Sequence, residues 1–341
     1  MARNSDPSAA VTPALPPVTF VILAFNQKAF IDHAIDAAFA QDYPNLQVLL
    51  SDDGSQDGTF EIMQARAVTY RGPHRVRAIR TARNFGLVHH FCFAAAAADG
   101  ELVVASAADD MSLPHRVSTL VKYWIARRPA VIYSAWELTD MQGRFLRHDQ
   151  SANTRKFDCA DYFPDREATI AFGCAAAYSR EFLKTVPVPA KPIWAEDYFL
   201  SLVALTTGEA IEYVDEPLVS YRQNQQAMRN FAVGGADALA YERREMIFFD
   251  GLVVLTGAFA DIVDNGRPVA RTRIRRDMIT RDIEWYSYRA DWATRSFFAR
   301  VRFTATLRSK ERLRWALPRV VGIKYFIMAK QMAGKLIAKS R

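Results

Sequence analysis

The sequence predicts an α/β fold, with a mostly parallel sheet flanked by helices and a helical region after it. Short apolar segments rich in β-branched residues alternate with segments of helical spacing over the first 140 residues. Strands and helices that alternate in this way are typical of a parallel sheet with right-handed crossovers. From about residue 236 onward only helical patterns remain, and Gly234-Gly235 is a candidate joint before them. Three regions are therefore expected: a disordered tail at 1–16, an α/β domain at 17–230 and a basic helical region at 236–341.

The individual elements follow from hydrophobic spacing. A continuous apolar run over 18–25 predicts a buried strand, and apolar residues three or four positions apart over 28–41 predict a helix. By the same criteria, further strands are expected at 46–51, 76–80, 102–106 and 130–136, and further helices at 58–70, 87–98, 113–127 and 197–206. After residue 150 the pattern is looser, with loop and short helix at 158–171, core at 175–183, and strand-like pieces at 211–222 that Pro217 interrupts.

Two of the predicted strands end in paired aspartates. Asp52-Asp53 follow the second strand, and Asp109-Asp110 follow the fourth. Ligands of open α/β sheets bind outside the carboxyl ends of the strands. Adjacent carboxylates repel each other unless a positive group lies nearby, and a divalent cation bound to a diphosphate would supply one. The alternative is structural: Asp109 would cap the helix that begins near Pro114, Asp110 would be solvated, and the first pair would cap a turn.

Composition narrows the class of protein. The 341 residues are half hydrophobic, which is enough for one large core and an appended unit. The three cysteines have neither a disulfide framework nor the spacing of a metal knuckle, so a reducing, cytoplasmic setting is expected. Residues 1–17 lack the charged-then-apolar order of a signal peptide. The sequence contains no run of about 18 apolar residues that could span a membrane.

Charge is distributed unevenly along the chain. The net charge is +7, but residues 267–341 alone contain 20 Lys or Arg against 5 Asp or Glu. Within them, 317–338 mixes apolar residues with lysines in a pattern typical of helices on an anionic membrane surface. The alternatives are a helix that packs on a core with a solvated basic face, and an oligomer contact through these helices. No nucleic-acid recognition module is visible, so nucleic acid is not an expected partner.

Four motifs within residues 17–225 resemble the inverting nucleotide-sugar glycosyltransferases of family 2, which have the GT-A fold. The first strand ends in an aromatic-Asn pair, and the residues from Gln41 to Thr59 are very close to the family's second-strand signature. The remaining two motifs match the family's metal motif and the acidic pair that supplies its catalytic base. The residues that carry the four matches are Phe25-Asn26, Asp52-Asp53-Gly54-Ser55, Asp109-Asp110 with Leu113-Pro114, and Trp194-Ala-Glu196-Asp197.

The resemblance implies which residues bind the nucleotide. Phe25 would lie against the base, and Asp53 would accept a hydrogen bond from a pyrimidine N–H. Asp109 would face the ribose. Asn26 and Arg83 lie in adjoining loops and are further candidate contacts. The alternatives are that Phe25 belongs to the core and that Arg83 belongs to a plain turn.

The resemblance also implies the catalytic groups. Asp110 would bind Mn²⁺ or Mg²⁺, which stabilises the charge that develops on the leaving diphosphate. Asp197 would take the proton of the acceptor hydroxyl, and Glu196 would position it or the acceptor. Trp194 would stack on a sugar ring or pack in the core. Glu196 and Asp197 could instead be acids favoured by the dipole of a helix start.

Two positions depart from the family pattern. Ala107 stands where many members have a further Asp, and Asn224 replaces the histidine of a Tyr-Arg-x-His element. An amide oxygen can still bind a hard cation, so Asn224 remains a candidate metal ligand. The Arg-Trp motif of processive synthases is absent, which favours addition of a single sugar. His89 and His90 have no partner at metal spacing and are expected to be structural.

The expected function is transfer of a sugar from a nucleoside-diphosphate sugar, most simply of UDP type, to a hydroxyl of a cell-surface or lipid-linked glycan. The enzyme would be cytoplasmic and attached peripherally to the inner face of the plasma membrane. The competing hypothesis, motivated by Ala107 and Asn224, is a non-catalytic protein that binds nucleotide sugars. A nicotinamide dehydrogenase is disfavoured, because the first strand lacks a Gly-x-Gly-x-x-Gly turn.

Overall fold

The computed structural model describes residues 15–148, 162–163, 169–193, 195–222, 238–265, 274–292, 295–306, 312 and 316. The strands are β1 (Val18–Ala24), β2 (Leu46–Asp52), β3 (Arg75–Arg80), β4 (Leu102–Ala107), β5 (Met111–Ser112), β6 (Val131–Thr139), β7 (Phe145–His148), β8 (Ala176–Ser179) and β9 (Ile211–Arg222). The helices are α1 (Ile31–Phe39), α2 (Thr59–Thr69), α3 (Leu87–Ala96), α4 (Arg116–Arg127), α5 (Arg180–Thr185), α6 (Glu196–Thr207), α7 (Ala238–Asn265), α8 (Arg276–Ala290) and α9 (Phe297–Thr306). One turn of 3-10 helix, Gly173–Ala175, precedes β8.

The strands of the described residues form one mixed sheet. Its order is β3-β2-β1-β4-β8-β6-β9-β5, with β7 paired to β6. The first four strands in this order are parallel. β8 lies antiparallel between β4 and β6, while β6 and β9 are parallel to each other. The predicted α/β class is confirmed, and β8 makes the sheet more mixed than alternation alone predicts.

The core explains why the central strands read as unbroken apolar runs. Every residue of β1 and β2 is buried, as is typical of parallel strands covered on both faces. α1 adds Ile31, Ala34, Ile35 and Ala38, which lie one helical turn apart on its buried side. These side chains pack in the same cluster as those of β1, β2 and β4. The packed core therefore holds the carboxyl ends of β1, β2 and β4 in fixed positions.

Three elements differ from the sequence prediction. β9 is one strand rather than separate pieces, and its pairing with β6 shifts register around Pro217, since proline has no N–H to donate to the ladder. β5 has two residues, and β7 has four exposed ones. Neither segment shows the alternation of apolar and polar residues that predicts a strand, so neither strand is predicted from the sequence.

Contacts divide the chain into two compact units. One contains Met1–Gln223 with Asp261–Arg275, and the other contains Asn224–Ala260 with Arg276–Arg341. In the second unit the rings of Tyr288 and Phe303 stack, and the buried Asp282 lies 2.7 Å from Arg312. No helix in the described ranges is both long and apolar enough to cross a bilayer. The predicted boundaries at 230 and 236 lie outside the described residues.

Candidate active site

Parallel pairing brings two acidic pairs to one edge of the sheet. Ala24 at the end of β1 lies opposite Asp52 of β2, and Leu23 lies opposite Ala107 of β4. The residues after these positions therefore leave the sheet side by side. They include Asp53 from one strand and Asp109-Asp110 from the other, in the arrangement that the sequence predicts.

The carboxylate of Asp53 holds a neighbouring loop. Asp53 is 2% exposed. Its Oδ1 accepts hydrogen bonds from the Thr81 hydroxyl at 2.9 Å and the Phe85 N–H at 3.1 Å, and its Oδ2 accepts one from the Gly86 N–H at 3.0 Å. A contact from Asp53 to a pyrimidine base stays a prediction.

Asp52 stabilises the turn beside it. Its Oδ2 accepts a hydrogen bond from the Ser55 N–H at 2.9 Å and lies 3.2 Å from the Arg80 Nε. This agrees with the structural alternative considered for Asp52, in which the side chain caps the turn after β2.

Gly54 allows the loop after β2 to touch the loop after β3. Its φ is +73°, and a Cβ built there would lie 2.7 Å from the carbonyl carbon of Arg83. Any side chain would therefore push the loops apart as well as strain the backbone. The close approach fixes the backbone of Arg83 beside the turn after β2, and the Arg83 guanidinium lies 5.0 Å from the centroid of the Phe85 ring.

The candidate base-contacting residues lie on the surface of this edge. Phe25 is 41% exposed and Phe85 is 37% exposed, so the alternative that Phe25 is a core residue is wrong. Asn26 has φ +53°, and its Oδ1 accepts a hydrogen bond from the Gln56 N–H at 3.0 Å. Asn26 therefore shapes the loop after β1, and direct contact with a nucleotide stays a prediction.

Asp110 is a buried carboxylate with few protein partners. It is 1% exposed, and its Oδ1 accepts a hydrogen bond from the Arg222 N–H at 2.9 Å. Its Oδ2 is buried without a hydrogen-bond partner. Burial, reinforced by repulsion from Asp109, raises the pKa of Asp110 to about 8. The solvated Asp110 of the structural alternative is therefore wrong.

Glu196 and Asp197 open α6 and form a third acidic pair. One Asp197 oxygen accepts a hydrogen bond from the Tyr198 N–H at 2.8 Å, and the other accepts one from the Gly173 N–H at 3.4 Å. Burial and then the neighbouring Asp197 raise the pKa of Glu196 to about 8. At neutral pH the Glu196 carboxyl therefore carries a proton.

One short turn joins this pair to Asp110. Gly173 donates to Asp197, and a Cβ on Gly173 would collide with the Glu196 carboxyl. The next residue, Cys174, interacts through its thiol with the Asp110 carboxylate. Acids that lie 87 positions apart in the sequence are therefore supported by consecutive residues of the Gly173–Ala175 turn.

Sequence reasoning missed two buried polar residues beneath this turn. Arg116 is 0% exposed, and burial lowers the pKa of its guanidinium to about 10, so it stays charged at neutral pH. The Tyr178 hydroxyl is buried without a hydrogen-bond partner, and burial together with Glu196 and Asp197 raises its pKa well above the usual value. The charge of Arg116 inside the otherwise apolar face of α4 is the one sequence signal that could have indicated the first of them.

The paired histidines of α3 fit the structural role expected for them. His90 is 2% exposed, and its Nε2 lies 2.8 Å from the Ser51 hydroxyl. Burial lowers the pKa of His90, although Asp53 and Asp52 act in the opposite direction. The ring is therefore neutral at pH 7 and fills the space under β2.

The acids fit a cation that is shared with a diphosphate. Among the described residues, no three His, Cys, Asp or Glu side chains converge as a complete metal site. Asp110 nevertheless offers a buried oxygen without a partner, beside a second carboxylate from Asp109. Phosphate oxygens and water would supply the remaining ligands of Mn²⁺ or Mg²⁺. Asn224 and Trp194 lie outside the described residues.

Comparison with known proteins identifies the domain. Residues 19–186 match the model of Glycosyl transferase family 2. An uncharacterized glycosyltransferase of Nostoc sp. (strain PCC 7120) is 25% identical over 219 residues, which cover 60% of this chain and 64% of that protein. The succinoglycan biosynthesis protein ExoO of Rhizobium meliloti is 29% identical over 133 residues, which cover 39% and 37%. The chain thus spans less than two thirds of either relative.

Two solved structures share the fold. S. aureus TarS 1–349 in complex with UDP-GlcNAc has a TM-score of 0.54 at 15% identity, covering 89% of this chain and 80% of that one. The mannosyltransferase PcManGT from Pyrobaculum calidifontis, in complex with GDP-Man and Mn²⁺, has a TM-score of 0.53 at 18% identity, covering 89% and 83%. The predicted GT-A fold is confirmed, and the domain at residues 19–186 matches glycosyl transferase family 2.

Proposed function

We propose that this protein transfers a sugar from a nucleoside-diphosphate sugar to an acceptor hydroxyl with inversion. The observation that carries the proposal is the Gly173–Ala175 turn, which supports Asp110 through one residue and Asp197 through its neighbour. A displacement of this kind needs one group to stabilise the departing diphosphate and another to take the proton of the attacking hydroxyl. Asp110 and Asp197 are the candidates for these two roles, and consecutive residues of the same turn contact them.

The donor would lie along the edge formed by β1, β2 and β4. Phe25 and Arg83 offer an exposed ring and a guanidinium to the base and phosphates. Asp109, half-buried beyond β4, would face the ribose. Asp53 would read a pyrimidine N–H, and Asn26 holds the loop that presents Phe25. A UDP-type donor is proposed because TarS, which shares the fold, is solved with UDP-GlcNAc.

Asp110 would hold the divalent cation, with Asn224 as a further ligand. Bound there, the ion would stabilise the negative charge that develops on the leaving diphosphate. The protein's own part is to keep the Asp110 carboxylate in place through the Arg222 N–H and the Cys174 thiol. Mn²⁺ is the first ion to test, because the fold neighbour PcManGT is solved with it.

Asp197 would act as the general base. The positive end of the α6 dipole and the Gly173 N–H both favour its ionised form. Glu196, which carries a proton at neutral pH, can donate a hydrogen bond to the acceptor or to Asp197. Trp194, two residues before this pair, would stack on the acceptor or donor sugar.

The proposed acceptor is a cell-surface glycan or a lipid-linked glycan. Similarity to ExoO, a succinoglycan biosynthesis protein, supports a role in polysaccharide synthesis. A cytoplasmic location at the inner face of the plasma membrane is proposed with it, together with attachment through the basic carboxyl-terminal region. In the described part of that region, α9 exposes Phe297, Phe298 and Val301 by 56%, 82% and 41%, and Arg302 beside them is also exposed. The helix proposed at 317–338 lies outside the described residues.

A non-catalytic nucleotide-sugar-binding protein is the second candidate, because Ala107 removes one acid of the usual pattern. Asp110 and Asp197 are both retained and are joined by one turn, which favours catalysis. Hydrolysis of a UDP-sugar in the presence of Mn²⁺ would distinguish the two, because a binding protein leaves the donor intact.

The test of catalysis measures nucleotide binding and turnover in the same preparation. Thermal shifts with a panel of nucleoside diphosphates, with and without Mn²⁺, identify the donor base, because ligands of the native state raise the melting temperature. Asp197→Asn should then lower transfer by roughly 10²–10⁴-fold, the usual contribution of a positioned base, without weakening nucleotide binding.

The matched control is Asp99→Asn, an exposed acid that precedes β4 at the opposite end of the strands. It should change neither quantity. Near-normal turnover of Asp197→Asn would transfer the role of base to Glu196, and absence of any nucleotide-dependent shift in the wild type would refute the proposed function.

Membrane attachment is tested with sedimenting vesicles. The intact chain should bind vesicles that contain anionic lipid at low salt, and added salt should release it. Replacement of Phe297 and Phe298 by Ser should weaken binding, while the exposed Val68→Ser on α2 should not. If the intact chain does not bind anionic vesicles at low salt, the carboxyl-terminal helices serve packing or oligomerisation instead.

A further inference from the structure

Arg116 is a charged residue whose hydrogen-bond acceptors are all neutral groups. It begins α4 and has no exposed surface. Its Nη1 donates to the Ser112 hydroxyl at 2.8 Å, and its Nη2 donates to the carbonyl of Ala105 at 2.8 Å and that of Ala176 at 3.4 Å. Its Nε is buried without a partner. An arginine of this kind is a costly way to fill a core.

The three acceptors come from three separate segments of the site. Ala105 belongs to β4, four residues before Asp109. Ser112 belongs to β5, two residues after Asp110. Ala176 begins β8 and directly follows the Gly173–Ala175 turn. The guanidinium therefore ties together the chain on both sides of the Asp110 pair and the turn that contacts Asp197.

The charge of Arg116 also faces the acidic cluster. It attracts Asp110, and its field acts on Cys174 and Tyr178 as well. A planar guanidinium can donate to several acceptors at fixed angles, whereas an ammonium is a point charge on a flexible stem. The planar shape and the positive charge of the Arg116 guanidinium therefore suit it to fix the spacing of several strands around an anionic site.

We propose that Arg116 is a positioning residue: it sets the spacing between Asp110 and the Gly173–Ala175 turn, so that the metal-bound diphosphate and the base act on the same sugar. This inference rests on the proposed function. Arg116 does not touch the donor or the acceptor, and it acts through Asp110 and the turn.

Two variants test the inference at different strengths. Arg116→Lys keeps the charge but cannot reach the three acceptors together. Ser112→Ala removes one of the three contacts and leaves the arginine in place. Leu120→Ala is the control, because Leu120 is a fully buried residue of α4 that packs in the main core cluster. It should lower the melting temperature without changing the site.

The readouts are the melting temperature, UDP affinity with and without Mn²⁺, and transfer kinetics. For Arg116→Lys we expect Mn²⁺-dependent tightening of UDP to fall about 10-fold and kcat to fall about 10–100-fold, the range found when groups behind metal ligands are changed. UDP affinity without metal and the KM for the acceptor should stay within about 2-fold, because neither depends on the spacing that Arg116 sets. Ser112→Ala should change the same quantities in the same direction by a smaller factor.

Wild-type Mn²⁺-dependent tightening and kcat in Ser112→Ala and in any folded Arg116→Lys would overturn the inference. Equal losses of both quantities in Leu120→Ala, at a matched fall in melting temperature, would also overturn it, since the effect would then reflect stability alone. If Arg116→Lys fails to fold, Ser112→Ala decides the question. Failure of the proposed function looks different, because the wild type itself would then show no metal-dependent tightening and no transfer.

Discussion

The Asp52-Asp53 pair and the Asp109-Asp110 pair both follow buried parallel strands, yet the protein surrounds them differently. Asp53 accepts hydrogen bonds from Thr81, Phe85 and Gly86, and Asp52 lies 3.2 Å from Arg80. Asp110 is as deeply buried, but its partners are the Arg222 N–H and the Cys174 thiol, and the neighbouring Asp109 repels it. One oxygen of Asp110 and one of Asp52 have no hydrogen-bond partner, and Asp52 has Arg80 beside it.

The difference teaches how the same motif serves two purposes. Where protein donors surround a carboxylate, its charge is stabilised and it organises the loop that supplies them. Where a buried carboxylate is incompletely paired next to another acid, its charged form is unfavourable until a cation arrives. The first pair therefore shapes the loops that follow β2 and β3, and Asp110 of the second pair is the acid proposed to bind a cation.

Asp110→Asn should have the largest effect that this comparison predicts. Transfer should fall by roughly 10³-fold, because metal stabilisation of the leaving group contributes several kcal/mol to the rate. The melting temperature should stay the same or rise, since an amide does not have to take up a proton on folding, as a carboxyl whose pKa is raised to about 8 must at neutral pH. Calorimetry and a transfer assay with Mn²⁺ measure the two quantities. Retained Mn²⁺-dependent tightening of nucleotide would remove Asp110 from its role.

Asp53→Asn, in contrast to Asp110→Asn, should mainly lower the stability of the fold. The amide NH₂ would face the N–H groups of Phe85 and Gly86, so one buried donor at least would lose its acceptor. Urea denaturation should give a loss of roughly 1–3 kcal/mol in the free energy of unfolding. Nucleotide affinity should fall too, because the loop that carries Arg83 is released. The exposed Asp99→Asn serves as the control, and equal stability of the two variants would end the distinction drawn between the pairs.

Glu196→Gln should act through the pH dependence of stability. The pKa of Glu196 is raised from 4.5 to about 8 in the folded protein. Between these values the unfolded chain has lost the proton that the folded chain keeps, so the free energy of unfolding falls as pH rises. In the Gln variant this fall between about pH 4.5 and 8 should be shallower. Identical slopes for the variant and the wild type would show that Glu196 titrates normally.

Much of the fold could be predicted because the burial of a strand or a helix face leaves a recognisable spacing of apolar residues in the sequence. β1, β2 and β4 are covered on both faces and appear as apolar runs, and α1 shows its buried face through Ile31, Ala34, Ile35 and Ala38. β5 and β7 left no such pattern, because one has two residues and the other is exposed. The direction of β8 also could not be predicted, since antiparallel pairing between distant segments is set by packing.

For the site, the sequence determined which residues are candidates for the chemistry: the acidic pairs at 52–53, 109–110 and 196–197, and Gly54 between two loops, are visible as motifs. Tertiary structure alone decided how each acid is surrounded. Hydrogen-bond donors from residues 81–86 reach Asp53 and do not contact Asp110 in the described structure. The Gly173–Ala175 turn and Arg116 join groups that are far apart in the chain. Charge stabilisation depends on distances across the fold, and a linear pattern of residue types does not contain them.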